Sequence, residues 1–329
     1  MLIHLLASIS SNHNRLPSFI SKFEQVFNML KDDIKKYLNN NEIYLIFKNN
    51  KRILLYLFKE NIIKITDDLS LFKSNKILSK LSQQKYFYPE ITEKSTEQFL
   101  ESFDMPDDFE EKRNIGENDD YICEVIRKDL IEDFIIYVNK NEYSLNSTIK
   151  PSIYETNPFL LKKQNTTTLL EYASFFGSVQ IFKYLIGNGA KSTSLLWIYG
   201  VHSDNPELIS FFDENNIKPP SYVRCYAESI KCHHIQMANY IQSNFMKEGE
   251  EKSDIVTKAI FHSFNFDFFQ ESFSNPSSLY FLVKYDYFYI VENLSKNKNI
   301  EVNNLMRILN LFFFNIVFFI EFFLNGVLI

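Results

Sequence analysis

The feature that most constrains the fold is a glycine-punctuated apolar pattern in residues 166–190, TTTLLEYASFFGSVQIFKYLIGNGA. Apolar residues lead to Gly177, resume for about two helical turns and stop at Gly189. The whole chain has only 7 glycines, and three of them, Gly177, Gly187 and Gly189, lie here. Glycine ends a helix at low cost because it adopts positive φ without steric strain. The pattern therefore predicts two short antiparallel helices that are separated at Gly177.

The same pattern recurs along the chain. A shift of 27 residues places Asp204 at the position of Gly177, a shift of 56 places His233 there, and a shift of 109 places Asp286 there. A weaker copy, DLIEDFIIYVNKNEYSLN, lies upstream, and residues 251–275 leave room for one more degenerate unit. Each unit has an apolar face that only a neighbouring unit can cover, so the recurrence predicts a stack of five or six helix pairs.

These positions resemble an ankyrin repeat. The resemblance rests on Thr168, Leu170, Ala173, Gly177, Ile181, Leu185 and Gly189, which match the family's opening, turn, core and closing positions. Leu169 and Glu171 replace the family's Pro and His, and spacings of 27 and 29 residues are shorter than its repeat of about 33. Residues 45–303 are also similar to a protist-expanded ankyrin-type family with an uncharacterised domain ahead of its repeats, a resemblance that implies no known activity.

The predicted fold class is all-α: an irregular ankyrin-like helical solenoid preceded by a small N-terminal helical region. Scarce Gly and Pro, with many Leu, Ile, Phe, Lys and Glu, favour helices over a many-stranded sandwich. The predicted boundaries are an N-terminal helical region at 1–82, an acidic linker at 83–119, degenerate repeats at 120–303 and a hydrophobic tail at 304–329.

The tail leaves three interpretations open. Its apolar part, residues 308–329, is long enough to span a bilayer, but Glu321 would cost roughly 2.5 kcal/mol or more in lipid. A truncated, non-functional family member ranks first, a membrane anchor second and a terminal core helix third. The 3 cysteines are too few for a disulfide framework, which favours a cytoplasmic protein, with membrane association as the minority interpretation.

Charge and motifs argue against several functions. A net charge of −6 disfavours nucleic acid as a partner, because phosphate binding needs a basic surface. The sequence has no glycine-rich phosphate loop, no Gly-x-Ser-x-Gly elbow and no His-Glu-x-x-His motif. The strongest metal candidate, Cys225 with Cys232, His233 and His234, has a spacing that fits no closed zinc site. We therefore predict no catalytic residue, metal or cofactor, and place His233 and His234 in an inter-helix turn.

The expected function is a non-enzymatic interaction module that binds an unidentified protein partner on the concave face of the stack. Glu171 and His202 lie at polar positions of adjacent first helices and are the predicted partner contacts. Trp197 is either a core anchor, which is favoured, or an interface hot spot. The main alternative is a scaffold tethered to a membrane by the tail, and an enzyme within residues 1–119 ranks last.

Overall fold

A computed structural model describes residues 2–12, 17–64, 85–92, 104–163, 166–269, 281–282 and 287. These residues form helices and no strand, which confirms the all-α prediction. One isolated β-bridge joins Thr148 to Thr168. No helix in the described ranges has the length and apolar character to cross a membrane. The tail at 304–329 and the repeat copy at Asp286 lie outside the described residues.

The chain divides into two compact units, one of residues 2–221 and one that begins at Tyr222. This division falls within the predicted repeat region rather than at 82/83 or 119/120. The helices of the first unit are α1 (Leu2–Asn12), α2 (Pro17–Tyr37), α3 (Asn40–Phe47), α4 (Lys51–Lys59), α5 (Tyr88–Thr92), α6 (Phe109–Ile115), α7 (Tyr121–Arg127), α8 (Ile131–Lys140), α9 (Pro158–Lys163), α10 (Leu169–Phe176), α11 (Val179–Gly187), α12 (Leu196–Ser203) and α13 (Pro206–Glu214). The helices of the second unit are α14 (Tyr222–Lys231), α15 (Ile235–Phe245) and α16 (Asp254–Ser263), with 3₁₀ turns at Glu250–Lys252 and Phe266–Phe268.

Helices α1 to α4 pack around aromatic residues of the amphipathic helix α2. Phe27 is fully buried, and its ring meets that of Phe47 edge-on with the centroids 5.3 Å apart. Asn50 ends the connection between α3 and α4, and its side chain accepts a hydrogen bond from the Ile53 N–H at 3.1 Å. This cap starts α4 and sets the orientation of the residues that follow it, Lys51 and Arg52.

Helix pairs occur at the predicted repeat positions. The residue between the two helices of a pair adopts positive φ at Gly177 (71°), Asp204 (51°) and His233 (56°), as the sequence shifts predicted. The upstream copy turns at Asp129 (51°), and the degenerate stretch turns at Phe264 (58°). Asp and His tolerate this conformation better than most residues, whereas Phe264 is an unusual occupant.

In the unit of residues 2–221, the first helix of each pair packs against the first helix of the next pair. Helix α10 contacts α7 on one side and α12 on the other, while α8 contacts α11. The predicted core positions are buried: Leu170 is 1% exposed, and Ala173, Ile181 and Leu185 are fully buried. The side chains that the repeat pattern selected therefore form the core between successive pairs.

Glu171 takes a structural role where the ankyrin pattern has His. The Thr168 hydroxyl accepts a hydrogen bond from the Glu171 N–H at 3.2 Å, and Glu171 Oε2 accepts one from the Thr168 N–H at 2.9 Å. The other carboxylate oxygen, Oε1, accepts from the Thr193 hydroxyl at 2.5 Å. This capping box starts α10 without the Pro and His of the ankyrin pattern.

Two glycine substitutions in the same helix pair, Gly177→Ala and Gly187→Ala, are expected to change stability in opposite directions. Gly177 has a φ of 71°, and a Cβ there would lie 3.3 Å from both Asn205 Nδ2 and Ser203 Cβ. Gly177→Ala is expected to lower the free energy of unfolding by about 1–2 kcal/mol. Gly187 is the last residue of α11 and has open space around it. Gly187→Ala is therefore expected to raise the free energy of unfolding by about 0.5–1 kcal/mol. Urea unfolding measures both, and equal shifts would contradict the turn assignment.

Part of the predicted acidic linker is folded. Phe109 and Arg113 on α6 are each 2% exposed, and Tyr86 is fully buried. The Arg113 guanidinium pairs with Glu90 at 2.7 Å and with Glu110 at 2.6 Å. The acidic composition of this segment predicts a linker, but two of its acidic residues, Glu90 and Glu110, pair with a buried arginine.

Candidate functional site

The structure places Glu171, Trp197 and His202, the three candidate partner-binding residues, in the interior. Glu171 is 3% exposed, Trp197 is 1% exposed and His202 is 9% exposed. The Trp197 indole N–H donates a hydrogen bond to the Ile217 carbonyl, so the core interpretation fits this residue. Glu171 and His202, the predicted partner contacts, are therefore not accessible to a partner in this conformation.

The chain's own segment between the first two helix pairs, residues 144–163, packs against His202 and the rings beside it. The Phe159 ring on α9 lies with its centroid 5.6 Å from that of Phe175, 5.1 Å from that of Tyr199 and 4.2 Å from that of His202. The segment is also held by backbone hydrogen bonds, from the Ile149 N–H to the Thr167 carbonyl and from the Leu169 N–H to the Ser147 carbonyl. The faces of α10 and α12 are thus occupied by a peptide-like stretch of the same molecule.

The rejected metal ligands lie in the second unit. Cys225 and Cys232 are buried, and burial raises the pKa of the Cys225 thiol to about 12. His233 occupies the predicted inter-helix turn, where its Nε2 lies 2.9 Å from the Ser263 carbonyl oxygen.

A cleft of about 690 Å³ lies within the first unit, at the end of α6. Its walls come from α2, α4, α6, the residues before α9 and the end of α10. The lining residues are Ile20, Arg52, Glu111, Asn114, Ile115, Gly116, Glu117, Glu155, Thr156, Asn157 and Phe176.

Hydrogen bonds to the end of α6 fix the shape of this cleft. Gly116 ends the helix at a φ of 72°, and its carbonyl accepts from the Thr156 hydroxyl at 2.7 Å and the Thr156 N–H at 3.1 Å. The Arg52 guanidinium donates from Nη1 to the Ile115 carbonyl at 2.7 Å. These contacts join α4, α6 and the residues before α9 into one rim.

Glu155 lines the cleft with a carboxyl group that is almost completely buried. Its residue is 3% exposed, and its Oε1 accepts one hydrogen bond from the Asn157 N–H at 2.7 Å. Burial raises the pKa of Glu155 to about 7, although the Asn157 hydrogen bond and the charges of Arg127 and Lys51 oppose the shift. The group therefore changes charge near neutral pH, a property enriched at functional sites.

Lys51 is a buried cation beside this carboxyl group. It is 2% exposed, and its Nζ donates to the backbone carbonyls of Ile153 at 2.9 Å and Glu155 at 3.0 Å. The ammonium also lies 4.5 Å from the centre of the Tyr86 ring. Burial lowers the pKa of Lys51 to about 8, and the charge of Glu155 opposes this shift only in part.

A third charged group, Arg127 on α7, closes the network. Its Nε pairs with Glu117 at 2.9 Å, and its Nη1 donates to the Tyr172 hydroxyl at 2.8 Å. Beside it, burial raises the pKa of the Cys123 thiol to about 12, which keeps the thiol protonated and a poor nucleophile.

A second cleft of about 600 Å³ adjoins the first and shares Glu111, Ile115, Glu117 and Phe176 with it.

Sequence reasoning did not identify this site. Lys51 and Glu155 stand 104 positions apart, and neither belongs to a local motif. Only the tertiary packing of α4 against the residues before α9 brings these groups together.

No protein-family model, curated protein or solved structure matches the chain. The resemblance to ankyrin repeats therefore rests on the residues of 166–190 and their shifted copies.

Proposed function

We propose that this chain is a non-catalytic interaction module, an ankyrin-like helix stack that binds a peptide segment of a partner protein. The observation that supports it is the occupied face of α10 and α12, where the chain's own residues 144–163 insert Phe159 among three aromatic rings. Helices α10 and α12, the first helices of their pairs, are the binding elements, as in the sequence-based prediction. The chain's own segment and a partner compete for them.

Energetics favour an aromatic anchor at this face. Burying a Phe side chain contributes about 1.5–3 kcal/mol, and each aromatic pair adds about 0.5–1.5 kcal/mol. A segment tethered on the same chain binds at an effective concentration in the millimolar range. A partner with a similar anchor must therefore bind more tightly than the internal segment, or bind once that segment is released.

The test uses Phe159→Ala to weaken the internal segment. A fluorescent peptide of residues 157–163, NPFLLKK, is titrated against the full chain and followed by anisotropy. The Phe159→Ala chain is expected to bind the peptide at least about tenfold more tightly than the native chain, because each lost aromatic contact is worth about 1 kcal/mol. A peptide with Ala in place of Phe is expected not to bind.

Tyr137→Ala provides the matched control, since it removes a half-buried ring on α8 that contacts Tyr121 and Tyr143 instead. It is expected to leave peptide binding at the native level. A folded Phe159→Ala chain, verified by circular dichroism, that gains no affinity for the peptide would refute binding across α10 and α12.

A further inference from the structure

The cleft beside α6 has chemistry of its own, separate from the face that Phe159 covers. We propose that it binds a primary alkylammonium group, supplied by a free amine or by a lysine side chain, with Glu155 and Glu111 as its anionic partners and Phe176 as an aromatic wall. This inference does not depend on the proposed peptide-binding function.

The charges of the cleft favour a cation. Three carboxylates line it, against one guanidinium, and that guanidinium on Arg52 already donates to the Ile115 carbonyl. Glu117 is paired with Arg127 at 2.9 Å. Glu111 is exposed and pairs with no group among the described residues, so Glu111 and Glu155 are the carboxylates left for a ligand.

Glu155 lines the cleft and has one carboxylate oxygen that is free to accept hydrogen bonds from a ligand. The residue is 3% exposed, and its carboxylate accepts a single hydrogen bond from the part of the chain that the structure describes, at Oε1. Its Oε2 accepts none from those residues, so it is available to a donor in the cleft. An ammonium group carries three N–H donors and a full positive charge, so it can both donate a hydrogen bond to Oε2 and form an ion pair with the carboxylate.

The apolar walls suit the alkyl part of such a ligand. Ile20, Ile115 and Phe176 line the cleft together with the carboxylates. The negative face of a phenyl ring attracts an ammonium group, and the methylene groups gain from contact with the isoleucines.

Three charged groups face Glu155 from the neighbouring elements: Lys51 from α4, Arg127 from α7, and Glu117 from the residues that follow α6. A bound ammonium adds a further positive charge next to Glu155 and favours its ionised form. Ligand binding near pH 6.5 is therefore expected to release protons, which a purely apolar association would not do.

The experiment is isothermal titration of the full chain with n-pentylammonium and, as the neutral control, with n-pentanol. A second arm uses Nα-acetyl-lysine amide and its Nε-acetylated form. The native chain is expected to bind at least one of the two ammonium compounds at least tenfold more tightly than its neutral counterpart. At pH 6.5 that binding is expected to release a fraction of a proton, measured in buffers of different ionisation enthalpy.

Glu155→Gln is expected to weaken ammonium binding at least tenfold, and Glu132→Gln, an exposed carboxylate on α8 outside the cleft, to leave it unchanged. Glu111→Gln changes an exposed side chain, keeps the fold, and is expected to weaken binding about threefold. Tighter binding of pentylammonium than of the lysine derivative would assign a free amine, and the reverse would assign a lysine side chain. Equal affinity for charged and neutral compounds in both arms, or undiminished binding by both Glu155→Gln and Glu111→Gln, would overturn the proposal.

Discussion

Lys51→Met is expected to lower the free energy of unfolding by about 2–3 kcal/mol at pH 8. Methionine retains the length of the side chain but donates no hydrogen bond, so the buried carbonyls of Ile153 and Glu155 lose their contacts with Nζ. The carboxyl group of Glu155 also loses a neighbouring positive charge. Urea unfolding followed by circular dichroism measures the change, and a shift below about 0.5 kcal/mol would contradict the buried network.

The pH dependence of stability distinguishes the two members of this network. The pKa of Glu155 is raised from 4.5 to about 7, so the folded chain binds more protons than the unfolded chain between these values. Stability from this group is therefore lost as the pH rises through 7. The pKa of Lys51 is lowered from 10.5 to about 8, so here the folded chain binds fewer protons, and stability increases as the pH rises from 8 toward 10.5.

The native chain is accordingly expected to have a stability minimum between about pH 7 and pH 8, with slopes of up to about 1.4 kcal/mol per pH unit on either side. Glu155→Gln is expected to remove the acid slope, and Lys51→Met the alkaline slope, when each variant is compared with the native chain between pH 5 and pH 10. Arg127 keeps its charge throughout this range and serves as a constant background. Parallel profiles for all three proteins would show that neither group titrates in the folded interior.

The turns of the helix pairs could be predicted because they depend on local sequence. Gly177 and the residues shifted from it, Asp204 and His233, all adopt positive φ. Apolar residues at helical spacing surround each turn in every pair, so a short stretch of sequence is enough to locate the turn. The buried positions Ile181 and Leu185 followed from the same periodicity.

The covered face and the charged cleft could not be predicted in this way. Phe159 stands outside the repeat pattern, so nothing in the sequence indicated that its ring would pack on Phe175 and His202. Polar residues such as Glu171 suggested exposure, yet its carboxylate is used to cap α10. A polar residue can be buried when other groups hydrogen-bond to it, and here those groups come from distant parts of the chain.

Arg113→Leu tests whether α6 belongs to the folded core and is expected to lower the free energy of unfolding by about 3 kcal/mol. The side chain is 2% exposed, and its loss leaves Glu90 without its ion pair at 2.7 Å and the buried Tyr86 carbonyl without a donor at 3.1 Å. Breaking a buried pair by removing one partner is costly because the remaining charge stays buried.

Lys128→Met removes an ion pair of the same kind from the surface and provides the control. Lys128 and Glu124 pair at 2.6 Å, but their side chains are 60% and 49% exposed, so the loss is expected to be below about 0.5 kcal/mol. Urea unfolding of both variants gives the ratio of the two effects. A solvated linker would yield equally small changes, whereas a sixfold or larger difference would mean that α6, despite its acidic sequence, belongs to the core that shapes the cleft.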